Sequence, residues 1–231
     1  MKNIFNYLLF LSLMLYIPVA QAQFKNSQEK ADKSLERAAN AFEDLTQMED
    51  KSIPKALLER AEGIVIFPGA LKVALGVGGQ GGRGIAIVRK DDGSWSNPFF
   101  IGMGEGNIGA QIGVQSADII LLFRRKENIL RLEKGDLALG GDVGIAAGPE
   151  GRNSSANTNI NFEAEIYSYS RSKGLYVGIS LEGTVLKANK KLNATYYEKD
   201  DILMNDVFYQ LKTPYTSEIQ TFLTSVESAT F

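Results

Sequence analysis

The groups in this chain whose surroundings suggest chemistry are three carboxylates and three runs of basic residues. Asp118, Asp142 and Glu182 sit in apolar, glycine-rich stretches. Two such acids meeting in space would have their pKa values split by environment and could act as an acid/base pair. The alternative is structural: a carboxylate accepts backbone N–H bonds and holds a turn. No histidine or cysteine is present. That rules out a Ser-His-Asp triad, a thiolate nucleophile, and Cys/His zinc or haem ligation, while carboxylate-based chemistry remains open.

The basic runs are Arg124-Arg125-Lys126, Arg171 with Lys173, and Lys187 with Lys190 and Lys191. Each offers donors to a phosphate or an anionic head group, or is simply a solvated strand end. Tyr167, Tyr169, Tyr176, Tyr196 and Tyr197 lie near the last two runs, and tyrosine suits a membrane interface. The expected head-group ligands are therefore Arg171, Lys173, Lys187, Lys190 and Lys191. Gly79 to Gly84 and Gly104 to Gly109 both match the dinucleotide fingerprint literally. That fingerprint needs a strand, a tight turn and then a helix. Both matches run instead into strand-like sequence, so no nucleotide cofactor is expected. Asn153-Ser-Ser and Asn193-Ala-Thr match the glycosylation sequon, which matters only on a route through an endoplasmic reticulum.

The elements that must position these groups are drawn by glycine. All 23 glycines fall between Gly63 and Gly183. Glycine weakens a strand and often marks a close approach, and Gly102, Gly104 and Gly106 at spacing two would line one strand face against something packed closely on it. That run passes into Ile119 to Phe123, a buried strand with Asp118 at its entrance. Shorter strand patterns cover Ile64 to Phe67, closed by Pro68-Gly69, then Val73 to Gly79 and Arg83 to Arg89, parted by a Gln80-Gly81-Gly82 turn. Asp91-Asp92-Gly93 makes a further turn into Trp95. Leu130 to Leu132 and Leu137 to Ala147 are strand candidates, and Gly148 to Asn159 is a loop. Ile160 to Ser170 alternates as a half-buried strand, followed by Gly174 to Glu182 and Thr184 to Lys187. Many short strands joined by turns predict an antiparallel sandwich or barrel-like core.

Helical patterns flank this core, so the fold class is α+β. Leu35, Ala38, Phe42, Leu45 and Met48 recur at spacings of three and four in the first helix. Its polar face carries both signs, whereas membrane-surface helices are usually basic, which favours packing on the core over docking to a membrane or partner. Pro54 opens a short second helix, with Ala56, Leu57 and Ala61 on its apolar side and Gly63 at the cap position. Residues 200 to 211 read as helical. A last helix starts at Thr213-Pro214, with an Ile219, Phe222, Leu223 and Val226 stripe.

Lys2, the apolar run Ile4 to Val19 and Ala20-Gln21-Ala22 form the pattern of a cleaved export signal. Expected segments are thus 1–22 signal peptide, 23–52 N-terminal helical segment and 53–231 β-rich domain with C-terminal helices. Export without cysteine means that burial alone holds the fold. The net charge of −2 becomes −3 once Lys2 is removed, with 24 basic against 27 acidic residues. A nucleic-acid partner would call for basic excess instead.

Four blocks then stand in order: Ile53 to Pro68 (IPKALLERAEGIVIFP), Gly102 to Phe123, Ala146 to Arg152 (AAGPEGR), and Ile166 to Gly183. Together they resemble the SYLF domain, also called the Las17-binding or actin-regulator domain, over about residues 33 to 227. The resemblance implies a non-catalytic module that binds anionic lipid or phosphoinositide-like head groups at a membrane surface, without cofactor or metal. It carries over no lipid-contacting residues; the list above rests on charge alone. Two positions depart from the family pattern: Glu62 stands where a lysine precedes the glycine, and Glu198 where a glycine follows paired tyrosines. The expected setting is exported, periplasmic or extracellular, with association to a membrane. The alternative function is an envelope protein-interaction or structural module without lipid specificity.

Overall fold

The computed structural model describes residues 27–48, 52–149, 163–173, 175–176 and 181–230, with the backbone alone at 73–78, 106–114 and 176. The signal-peptide reading, the Asn153 sequon and most of the 148–159 loop lie outside these residues. Helix α1 covers 27–47 and buries Ala31, Leu35, Ala38, Phe42 and Leu45, with Met48 packed partly against the same core. Its apolar period therefore meets the sheet. Helix α2 (Lys55–Arg60) follows, with Leu57 and Leu58 buried. Its last turn closes on Ala61 in extended backbone, so Gly63 is not its cap; a Cβ there would strike Ile129.

Two long strands make the centre. β1 (Gly63–Val88) and β2 (Phe99–Phe123) pair antiparallel from Gly63↔Phe123 to Ala86↔Phe99. The turn between them carries the expected Asp91-Asp92-Gly93, with Gly93 at φ 84° and its N–H donating to Lys90 O at 2.9 Å. Pro68-Gly69 does not end a strand: it is an irregularity inside β1, between Phe67 and Ala70, with Gly69 at φ 62°. Gln80-Gly81-Gly82 does not turn either; it stays in the ladder opposite Met103 to Glu105.

β1 instead curls until its own two ends meet. Arg89 N–H donates to Glu62 O at 2.8 Å. A Cβ on Gly82 would sit 3.2 Å from the Ala70 Cβ, and one on Gly84 would strike Ile66 O and the Phe67 ring. Close approach does govern glycine here, but at Gly63, Gly82 and Gly84. Gly104 has nothing within 4 Å of such a Cβ, and Gly102 only Gly82 O at 3.7 Å, so the packing expected against those two is absent.

The chain continues through α3 (Lys126–Leu130), a 3-10 turn at Arg131–Glu133, β3 (Leu137–Ala138) and β4 (Ile145–Ala147). The strand expected at Leu130 to Leu132 is helical because the Glu62 carboxylate accepts the Lys126 N–H at 3.1 Å, capping α3 from outside. Next come β5 (Ile166–Ser172), β6 (Leu175–Tyr176), β7 (Val185–Ala188), α4 (Lys190–Tyr196), a π-helical turn at Asp206–Gln210 and α5 (Ser217–Thr230). The seven strands form one curled sheet of order β3-β7-β2-β5-β4, with β1 on β2 and β6 on β5. Every pair is antiparallel except β4 with β5. Ile166 to Ser170 is buried throughout rather than alternately. Its second face is covered too, for a Cβ on Gly148 would strike the Tyr169 ring, and the Tyr169 hydroxyl donates to Pro149 O at 3.1 Å. Ile219, Phe222, Leu223 and Val226 of α5 are buried as their spacing predicts. No described helix is long and apolar enough to cross a membrane.

Candidate functional site

Of the predicted ligands, Arg171 and Lys187 belong to different ends of β2. Arg171 is opposite Asp118 near the C-terminal end of that strand, and Lys187 is opposite Gly102 near its start. The expected patch is thus two sites, and they differ in kind.

At the first, the Arg171 guanidinium is 19 % exposed and donates to both Asp44 of α1 and Asp118 of β2, the latter at 3.2 Å. Asp118 also accepts the Gly69 N–H at 2.8 Å. Arg37 of α1 donates to Pro68 O at 3.2 Å beside it. The cluster therefore fastens α1 across the sheet, and the Arg171 charge is already shared between two carboxylates. Lys173 follows in an exposed turn at φ 50°.

The carboxylates take the structural reading. Asp142 accepts the Ala138 N–H at 2.8 Å, as Asp118 does that of Gly69. Glu182 is exposed, beneath Gly140. Glu165, which the sequence pattern does not single out, accepts the Gly144 N–H at 2.8 Å and the Asn128 amide at 3.3 Å. Among the described residues no group of three or more His, Cys, Asp or Glu is placed to hold a metal ion.

The second end is built on Asn193. This fully buried side chain receives the Phe100 N–H at 2.8 Å and donates to Phe100 O at 2.7 Å, mimicking a neighbouring strand along the start of β2. A glycan cannot attach there without unfolding α4, so the Asn193 sequon is not a modification site of the folded chain. Its sequence signal is the bare Asn-x-Thr, which points the wrong way. Around it, Phe100, Tyr196, Tyr197 and Tyr215 stack edge to face with centroids 5.0–5.2 Å apart. The Tyr197 hydroxyl donates to Pro98 O, and burial drives its pKa well up. Tyr196 and Tyr197 are core, not an interfacial belt, and Tyr215 at the end of the stack is 38 % exposed. Tyr196, likewise raised by burial, bonds Thr216 at 2.9 Å and lies against Asp32 of α1. The Asp32 carboxyl is held above its ordinary value by burial and then by Glu218, against the bond from Tyr196.

On this foundation stand Lys187, Lys190 and Lys191, all exposed. Lys187 pairs with Asp136 at 2.7 Å. Lys190 and Lys191 make no ion pair among the described residues. They border an open groove of about 440 Å³ between α4 and the segment 200–204. Phe99, Ala194, Ile202 and Met204 give it an apolar floor, and Leu203, 51 % exposed, stands at its edge. Glu133, Asp200 and Asp201 line the remainder. The groove therefore offers apolar contact and both signs of charge, with carboxylates outnumbering ammonium groups. Glu198, just beyond α4, has φ 53°, the backbone that explains why the family pattern has glycine after the tyrosine pair.

The profile of the family described as Las17-binding protein actin regulator (Ysc84) matches residues 104–229. The chain is 32 % identical over 215 residues to the SH3 domain-containing YSC84-like protein 1 of Rattus norvegicus, covering 87 % of this chain and 62 % of that protein. It is 34 % identical over 161 residues to the protein of the same name in Xenopus laevis, covering 69 % and 48 %. Against protein YSC84 of Saccharomyces cerevisiae it is 33 % identical over 151 residues, covering 64 % and 32 %. The chain thus spans less than two thirds of the length of these relatives.

Proposed function

The chain belongs to the Las17-binding, actin-regulator (Ysc84) family, and from that premise we propose that it is a non-catalytic interaction module that binds a protein segment in the groove beside α4. The observation that carries this reading is the lining of that groove. An apolar floor is bordered by Lys190 and Lys191 and by Glu133, Asp200 and Asp201. A segment with an apolar anchor between residues of opposite charge complements such a surface; an anionic head group would meet more carboxylates than ammonium groups. The family description names a protein partner, which agrees with this class of ligand. We take the chain as an exported protein on the strength of its leader pattern, so the partner is an envelope or extracellular protein.

The test is photo-crosslinking in the native host, with a benzophenone amino acid at Leu203 and, as control, at Leu175, which is 71 % exposed at the start of β6. A discrete protein adduct at 203 alone, lost on Lys190→Glu/Lys191→Glu, is the expected result. Adducts at both positions, or at neither, overturn the assignment.

Binding of anionic lipid is the second reading, favoured by the exposure of Lys187, Lys190 and Lys191 on a single corner. It predicts sedimentation with phosphatidylglycerol vesicles and not with phosphatidylcholine, lost at high salt because exposed charges are screened. An apolar protein contact largely survives the same salt.

A further inference from the structure

The groove beside α4 continues into a second open cavity, of about 660 Å³. The two share Lys191, Ala194 and Asp200, and Thr195 and Glu198 complete the lining of the second. Ala194, Thr195 and Glu198 stand three, four and seven residues beyond Lys191, so one face of α4 and the residue just past its end run along both. The cavities differ in chemistry. The first has the apolar floor; the second offers Ala194 as its one apolar side chain. The Thr195 hydroxyl there donates to Lys191 O at 2.9 Å, which leaves its lone pairs as acceptors.

Together the cavities are bordered by two ammonium groups, Lys190 and Lys191, and four carboxylates, Glu133, Glu198, Asp200 and Asp201. All six are exposed, and none is in an ion pair among the described residues. Lys199 does not offset the excess, because it pairs with Asp206 at 2.7 Å, and neither lines a cavity. Glu198 and Asp201 also hold positive φ, at 53° and 51°; the one other described non-glycine residue to do so is Lys173. Glycine takes that backbone without strain, and here two carboxylates are held in it instead.

We infer that the occupant of the groove is a protein segment of net positive charge: a leucine-sized anchor flanked on one side by an acidic residue and on the other by a pair of Lys or Arg. This rests on the protein-segment reading above and specifies its chemistry. The anchor sits on the floor, the acid meets Lys190 and Lys191, and the basic pair lies along Glu198 and Asp200 in the second cavity. An arginine there can make two parallel N–H···O bonds to one carboxylate.

The test is fluorescence anisotropy of the purified chain with labelled peptides. The probes carry the core Glu-Leu-Lys-Arg, the same core in reverse order, a charge-swapped core Lys-Leu-Glu-Glu, and an anchorless core Glu-Ser-Lys-Arg. Saturable binding of a basic core in at least one order is expected, tighter than that of the charge-swapped and anchorless peptides. Glu198→Gln with Asp200→Asn should weaken it about fivefold, the scale of exposed ion pairs. Glu198→Gly, which relieves the positive φ, should raise thermal stability and still weaken binding. Tighter binding of the charge-swapped peptide, or unchanged binding in both variants, overturns the inference. If no peptide binds while Leu203 still crosslinks to a discrete protein, this inference falls and the groove reading stands. If no peptide binds and no adduct forms, both fall.

Discussion

Arg171 and Lys191 were equivalent as charges in a sequence, and the two ends of β2 make them opposites. At one end the cation is drawn into a cluster with Asp44 and Asp118 that binds α1 to the sheet. At the other, two ammonium groups stand over a groove with no ion pair among the described residues. The difference lies in what packs on each end. α1 brings a carboxylate down onto Arg171, whereas α4 buries its tyrosines and Asn193 and leaves its first residues outside. A basic residue is available for recognition only where no carboxylate of a neighbouring element comes close enough to pair with it.

That contrast can be broken by separating stability from binding. The largest effect is expected at the buried foundation of the Lys191 end. Asn193→Ala strands the N–H of Phe100 inside the core, while the Phe100 C=O keeps the Asn189 N–H, and should cost roughly 2 kcal/mol by chemical denaturation, since an unsatisfied buried group costs about 1–3 kcal/mol. It should also disturb the groove, because α4 loses its anchor. Arg171→Ala comes next. It leaves Asp118, 25 % exposed, without its cation and should cost roughly 2 kcal/mol, below the range for fully buried pairs because Asp44 is 49 % exposed. Crosslinking at Leu203 should be untouched by it. If Arg171→Ala abolishes crosslinking while the chain stays folded, the two ends are one site and the contrast fails.

The smallest effect concerns the acid between α1 and α5. Because the Asp32 pKa is raised in the folded chain above 3.8, the native state holds its proton more tightly than the unfolded one. Stability contributed by Asp32 is therefore greatest at low pH and falls as pH rises from 3.8 through the raised value. Asp32→Asn should stabilise the chain at pH 7 by about 0.5 kcal/mol or less, the scale of surface substitutions. The gain should vanish below pH 3.8. Thermal melts of both proteins at pH 7 and pH 3.5 measure it; a loss of stability at pH 7 would mean that the ionised carboxylate is needed to hold Tyr196.

Much of the fold was legible because apolar period carries over directly into burial. The stripes of α1 and α5 and the β2 run Ile119 to Phe123 are all buried. Turns were harder. Gly93 turns the chain, while Gly82 lets one arm of β1 lie against Ala70, and both look alike as residues. The site was legible only in part. Lys190 and Lys191 do border a groove, yet its floor joins Phe99, at the start of β2, to Ile202 and Met204, far along the chain. The register that sets Gln80 opposite Glu105 was hidden because cross-strand pairing has no local signal in a glycine-rich strand.

By itself the sequence determined the α+β class, the family and the lack of histidine and thiol chemistry. These depend on composition, local period and ordered motifs, which need no partner. The tertiary structure alone decided that β1 folds back on itself, that Asn193 is a buried strand mimic rather than a glycan acceptor, and that Arg171 pairs with two carboxylates while Lys191 has no ion pair among the described residues. Each of those outcomes depends on which distant element arrives within a few ångströms, and short-range interactions such as hydrogen bonds and ion pairs are settled only at that distance.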